Sequence, residues 1–230
     1  MTMRIDHVYI EVPDPEAMQA ALADLLGLAL AWPVKDYGAF RSGGLALGPF
    51  NLELVRFAGT DPRPAEHRLD GIALSAASLH DAAADLASVG RAMGAPQPFR
   101  AQGSMLWTNA DVPALLPPPT PTFVCIYEPE LSRALARAAA APAPAADVEI
   151  ILPAGEQACA WSRLRLPWTA GTAVASRVRI VVDDPDTDRA QRYLRELHLP
   201  IRLVRTLHDG LTAEQMTPNT GPESPCRRGW

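Results

Sequence analysis

The sequence predicts an α+β fold built from paired βαβββ modules, with a partial third module. Three observations predict it. Segment 4–10 (Arg-Ile-Asp-His-Val-Tyr-Ile) returns at 68–74 as Arg-Leu-Asp-Gly-Ile-Ala-Leu, an offset of 64, with Arg and Asp retained and apolar positions matched in kind. Each segment is followed by a helix start and then by strand-like runs. A third strand–helix copy begins at 177, where Val182, Asp184 and Pro185 repeat Val12, Asp14 and Pro15 at an offset of 170. Self-similarity at a long offset is the mark of a repeated supersecondary unit.

The elements follow in order. After the strand ending at Val12, Asp14 is an N-cap, Pro15 suits the first helical position and Glu16 places acid in the first turn. Met18, Ala21, Leu22, Leu25 and Leu26 form a helical stripe, and Gly27 suits the left-handed position that ends a helix. Strand-like runs follow at 29–34, 38–47 and 50–57, punctuated by Asp36, Gly38, Gly43-Gly44 and Gly48-Pro49. In the second copy Ser78 caps a helix carrying Leu79, Ala82, Ala83, Leu86 and Val89, which stops at Gly90. Its strands are expected at 97–102, 104–111 and 122–128, the last two separated by a Pro-rich loop.

Composition excludes several classes. The chain has 230 residues, a formal charge of −5, 48% hydrophobic and 20% charged residues, which is the balance of a globular protein with a real core. No apolar run approaches the 18 or so residues of a membrane span. The first residues carry Asp6 and Glu11 and no apolar run, and do not read as a signal peptide. Three scattered cysteines, Cys125, Cys159 and Cys226, form no disulfide framework and no zinc motif, so a reducing cytoplasmic location is expected. Residues 1–130 carry 8 basic and 15 acidic side chains, and the remainder is only slightly basic, so no nucleic-acid surface is indicated. There is a single lysine, Lys35.

The pattern resembles the vicinal oxygen chelate superfamily, which includes glyoxalase-like, bleomycin-resistance-like and extradiol dioxygenase-like proteins. The resemblance covers residues 4–128. It rests on Ile5-Asp6-His7-Val8, Val12-Pro13-Asp14-Pro15, Leu26-Gly27-Leu28 and Asn51-Leu52-Glu53-Leu54-Val55, together with the internal duplication. It implies two βαβββ modules forming curved mixed sheets around a cleft that holds a metal or a small ligand. It further implies that the first and last strands of each module carry the metal ligands.

Strand alternation assigns the faces independently. Val8, Ile10 and Val12 share the face that packs on the following helix, and His7, Tyr9 and Glu11 point the other way. Leu52 and Leu54 go to the helix side, and Asn51, Glu53 and Val55 to the cleft side. His7 and Glu53 are thus the candidate metal ligands, suited to a divalent Zn, Fe, Mn or Ni ion. Glu53 is also the candidate catalytic base. The second module departs from the pattern, with Gly71 at the His7 position and Cys125, or Glu128 if the strand slips, at the Glu53 position. Phe123, Cys125 and Tyr127 are expected on the cleft face of their strand, with Tyr9 and Trp107 on the wall as substrate-binding residues. Cys125 has no basic neighbour to activate it and reads as a small buried hydrophobe. His67 and His80 lie near the second strand in sequence but off its cleft face.

The chain after 130 divides into a helix and Ala/Pro linker over 131–146, the partial βα module over 147–206 and a flexible tail over 207–230. Strands are expected at 148–152, 158–166 and 201–204. Arg163 and Arg165 alternate on one face, as do Arg177 and Arg179, and the four could form an anion-binding surface. Two functional readings of the cleft result, beside a third in which the chain is a dimerisation scaffold whose partial third module is completed by another subunit. One is a metal-dependent glyoxalase-like lyase, isomerase or dioxygenase using His7 and Glu53. The other is a metal-free module that binds a small molecule for sequestration or resistance, with Gly71 and Cys125 opening room in the cleft. The expected partners are a small-molecule ligand and a second copy of the chain in a homodimer, with neither nucleic acid nor membrane.

Overall fold

Strand β1 (Arg4–Glu11) is followed by α1 (Pro15–Leu26), β2 (Leu30–Asp36), β3 (Phe40–Ala46) and β4 (Asn51–Phe57). The same order returns as β5 (Gly71–Ser75), α2 (Leu79–Ser88), β6 (Gln97–Ala101), β7 (Ser104–Asp111) and β8 (Thr122–Tyr127). The computed structural model describes residues 3–60, 69–101, 103–116, 120–139, 147–153, 156–166, 169–171, 177–182, 187–197 and 199–205.

The caps act as their chemistry requires. Asp14 accepts a hydrogen bond from the Ala17 amide, and Ser78 does the same for Asp81. Gly27 takes the left-handed conformation, φ 62°, that closes α1.

The eight strands form one strongly curled mixed sheet, ordered β2-β3-β4-β1-β5-β8-β7-β6. Each module pairs its first and last strands in parallel, β1 with β4 and β5 with β8. The modules join antiparallel through β1 and β5. The repeat in the sequence is therefore a two-fold repeat in the sheet. Val8, Ile10, Leu52, Leu54, Ile72, Leu74 and Val124 are fully buried beneath the helices, with Leu22 and Leu86 supplied from α1 and α2. The opposite, concave face carries the side chains described below.

Beyond residue 128 lie α3 (Pro129–Ala139), β9 (Asp147–Pro153), α4 (Glu156–Arg163), β10 (Thr169–Gly171), β11 (Arg177–Val182), α5 (Thr187–Glu196) and β12 (Ile201–Arg205). A second sheet runs β10-β9-β11-β12. The strand expected over 158–166 is instead the helix α4 and its terminus. Ala160, Trp161 and Leu164 are buried at helical spacing, and Arg165 sits at φ 54° where the helix ends. Arg163 and Arg165 consequently share no strand face. The side chains of Arg177 and Arg179, the cap at Asp184 and Pro185, the Ala/Pro run 140–146 and the tail 206–230 lie outside the described residues. Among the described residues no helix is long and apolar enough to cross a membrane.

Candidate functional site

The floor of the concave face begins with an irregularity in β1. Ile5 pairs with Leu74 and His7 with the adjacent Ala73, so Asp6 is an extra residue in the ladder, a β-bulge. Simple alternation would turn Asp6 away from His7. The bulge brings both to the same place. Asp6 Oδ2 lies 2.8 Å from His7 Nδ1 and accepts a 2.7 Å hydrogen bond from the Tyr127 hydroxyl.

Parallel pairing of β1 with β4 sets Tyr9 opposite Glu53, one step along from His7. His7 Nε2 therefore reaches Glu53 Oε2 at 3.2 Å. The two residues that alternation placed on one face do meet, and they meet each other. The result is a line of groups, Tyr127–Asp6–His7–Glu53, with the imidazole between two carboxylates.

His7 is 5% exposed. Burial by itself lowers an imidazole pKa, but the charge of Glu53 and the hydrogen bond to Asp6 outweigh it, and the pKa is pushed up to about 10. The ring is an imidazolium at neutral pH, with an N–H directed at each carboxylate. Burial, reinforced by Asp6, raises both the Cys125 thiol and the Tyr127 phenol well above their ordinary values. Cys125 is thus a buried thiol with no activated character. Tyr9 is raised by burial and by the nearby Asp70 and Glu53.

These residues line one cavity of about 240 Å³. Tyr9, Trp107, Phe123, Cys125 and Tyr127, expected on the cleft wall from alternation, all lie on it with His7 and Glu53. Small residues make the arrangement possible. His7, Ala73 and Phe123 stand in one row across three strands, and the methyl of Ala73 lets the two rings approach to 5.9 Å. Gly71 pairs with Tyr9, and a Cβ at Gly71 would lie 2.1 Å from Tyr9 Cε1. Gly71 therefore makes room for the Tyr9 ring; the space expected there for a ligand is filled by that ring.

Several wall residues were not expected. Trp32 from β2, Tyr37, Phe40 from β3 and Phe57 from β4 complete an aromatic enclosure. Trp32 lies over Gly44, where a Cβ would come within 2.4 Å of the indole. Gly43-Gly44, which in sequence reads as punctuation, is in fact mid-strand, opposite Trp32 and Gln19. A glycine pair inside a strand run, with a Trp on the preceding strand, was the available signal. Leu131 and Leu135, one helical turn apart on α3, form a further part of the wall. The helix expected as part of a linker is therefore part of the cleft. His80, on α2, takes no part in the cavity, and His67 lies outside the described residues.

Does this donor set suit a metal? His7 and Glu53 come from one module, and the His7 ring, with a carboxylate against each nitrogen, has no free lone pair to give a metal. Across the cleft Gly71 offers none, and Cys125 holds its proton, whereas a ligating thiol must release it. Among the described residues no group of three His, Cys, Asp or Glu converges as a metal site. The residues present do not fit a resident divalent ion. What they supply is one carboxylate at the edge of the cavity, an aromatic wall, and the buried side-chain oxygen Oδ1 of Asn109, which has no partner among the described residues.

No protein-family model and no curated protein matches the chain. Several solved structures are similar to part of the chain. A hypothetical protein from Bacillus halodurans is 17% identical, covering 56% of this chain and 96% of its own, with a TM-score of 0.43. Methylmalonyl-CoA epimerase from Mycobacterium tuberculosis is 16% identical over 56% of this chain and 91% of its own, with a TM-score of 0.40. A triple mutant of 4-hydroxymandelate synthase from Streptomyces coelicolor is 18% identical over 85% of this chain and 75% of its own, with a TM-score of 0.45. At these identities the likeness is one of fold.

Proposed function

We propose that the cleft binds a small organic molecule with an apolar, ring-sized body, and that binding requires no metal. The observation that carries this reading is the convergence of eight of the chain's 14 Phe, Trp and Tyr residues on one cavity whose polar floor is an internally paired His7–Glu53 couple. Pockets with mostly apolar walls and a few placed polar groups are the usual form of a small-molecule site. Trp107 stands at the centre of the wall, stacked on Phe99 at 4.3 Å and edge-on to Tyr37 at 5.4 Å.

A neutral naphthalene dye such as prodan tests the reading. Titrated into the full chain, it is expected to brighten and shift to the blue. Trp107→Ala is expected to weaken its binding about tenfold, the scale of one lost aromatic contact. An unchanged prodan spectrum at saturating protein would refute the proposal.

The metal question has its own measurement. Elemental analysis of the purified protein is expected to find far less than one divalent ion per chain, and added Zn, Mn, Ni or Fe is expected to leave the melting temperature unmoved. Near-stoichiometric metal that disappears in His7→Ala would replace this reading with a metal-dependent one.

A further inference from the structure

The cavity has a sign as well as a shape. Glu53 opens on the cavity with His7 as its partner, and Asp6, which lies outside the cavity lining, holds the far side of the His7 ring. The other charged side chain on the wall is Lys35, which stands exposed on β2, its ammonium on a flexible stem at the rim. Aromatic rings add to the Glu53 charge, because their faces are the negative end of a quadrupole and attract cations.

Glu53 decides which ligand such a pocket can take. Its side chain keeps 15% of its surface open and borders the cavity, and among the described residues His7 is its one partner. Any ligand that fills the cavity strips the remaining water from that carboxylate. A neutral apolar ligand returns nothing for it, and an anion adds repulsion. A positive charge restores what the water gave, in a site where the weakened dielectric screening strengthens the pairing.

We infer that the ligand of this cleft is an organic cation, a protonated or quaternary amine on an apolar body, seated among the rings with Glu53 as its counter-ion. The inference rests on the cleft being a ligand site, as proposed above, and adds the charge of the occupant.

Phenyltrimethylammonium and tert-butylbenzene have the same shape and differ by one positive charge. Benzenesulfonate provides the opposite sign. Binding of each to the full chain is measured by ligand-observed NMR. The cation is expected to bind at least tenfold tighter than its neutral twin, with the sulfonate weakest. In Glu53→Gln the ratio of cation to neutral affinity is expected to fall toward one, and in Glu53→Asp to survive. Equal or tighter binding of tert-butylbenzene overturns the inference, as does a preference for benzenesulfonate that Lys35→Ala removes. Failure of all three probes while prodan still binds also overturns it, and leaves the small-molecule reading standing. Failure of prodan as well brings down both. The wild-type ratio is decisive even if the Glu53 variants fail to fold.

Discussion

Replacing Gly71 by Ala is expected to destabilise the protein by about 1–3 kcal/mol, the range for forcing extra atoms into a packed interior, and to drive the Tyr9 ring out of its place on the cleft wall. The new methyl would lie 2.1 Å from Tyr9 Cε1, 2.5 Å from Cζ and 2.7 Å from the hydroxyl. Gly71 is buried and β5 is hydrogen-bonded on both sides, to β1 and β8, so its backbone has nowhere to retreat. The ring must turn instead. In doing so it leaves its neighbours Phe57 and Phe123, whose centroids are 6.4 and 6.2 Å away. Urea unfolding reads the cost, and a double-mutant cycle reads its cause. In a Tyr9→Ala background, Gly71→Ala is expected to be close to neutral, since the clash is gone and Ala loses less chain freedom in a strand than Gly. An equal cost in both backgrounds would show that Tyr9 is not what the methyl meets. Prodan affinity is expected to fall with the single substitution, because the displaced ring either occupies the cavity or deserts its wall.

His7→Leu is expected to have the larger effect on stability, about 3–5 kcal/mol, the range seen when one member of a buried ion pair is removed. Leucine has nearly the right volume, so the loss is electrical: Asp6 and Glu53 are left close together with no cation between them. The pH dependence identifies the mechanism. The folded-state pKa of His7 is about 10, raised from 6.5. The folded protein therefore holds a proton that the unfolded chain has released between those values. The stabilisation is complete below pH 6.5 and is lost as the pH rises toward 10, at up to about 1.4 kcal/mol per pH unit. Melting temperatures of the wild type are expected to fall across this window, and those of His7→Leu to fall much less. Parallel pH profiles for the two proteins would mean that His7 is not the titrating group.

Much of the fold was legible because it is written locally. Asp14 and Pro15 begin a helix by their own chemistry, and Gly27 ends it by tolerating a positive φ. The duplication set the module order, and period-two alternation put Phe123, Cys125 and Tyr127 on the cleft side. The reading failed where a local pattern was ambiguous. Over 158–166 a strand was expected, with Arg163 and Arg165 on one face, but Ala160, Trp161 and Leu164 also fit a helix, and burial of that stripe prevailed.

By itself, the sequence determined that there are two like modules and that His7 and Glu53 share a face, because both follow from repeats and from side-chain direction along a strand. Only the tertiary structure decided what those residues do to each other. The bulge that turns Asp6 toward His7 comes from how β1 registers on β5, a long-range pairing with no mark in the segment itself. Likewise Gly71 and Gly44 gain their meaning only once Tyr9 and Trp32 lie over them, and α3 becomes a wall only when Leu131 and Leu135 reach the cavity. The pair that strand alternation offered as metal ligands thus closed on itself as a buried ion pair through the pairing of β1 with β4, and register brought Asp6 in as a second carboxylate.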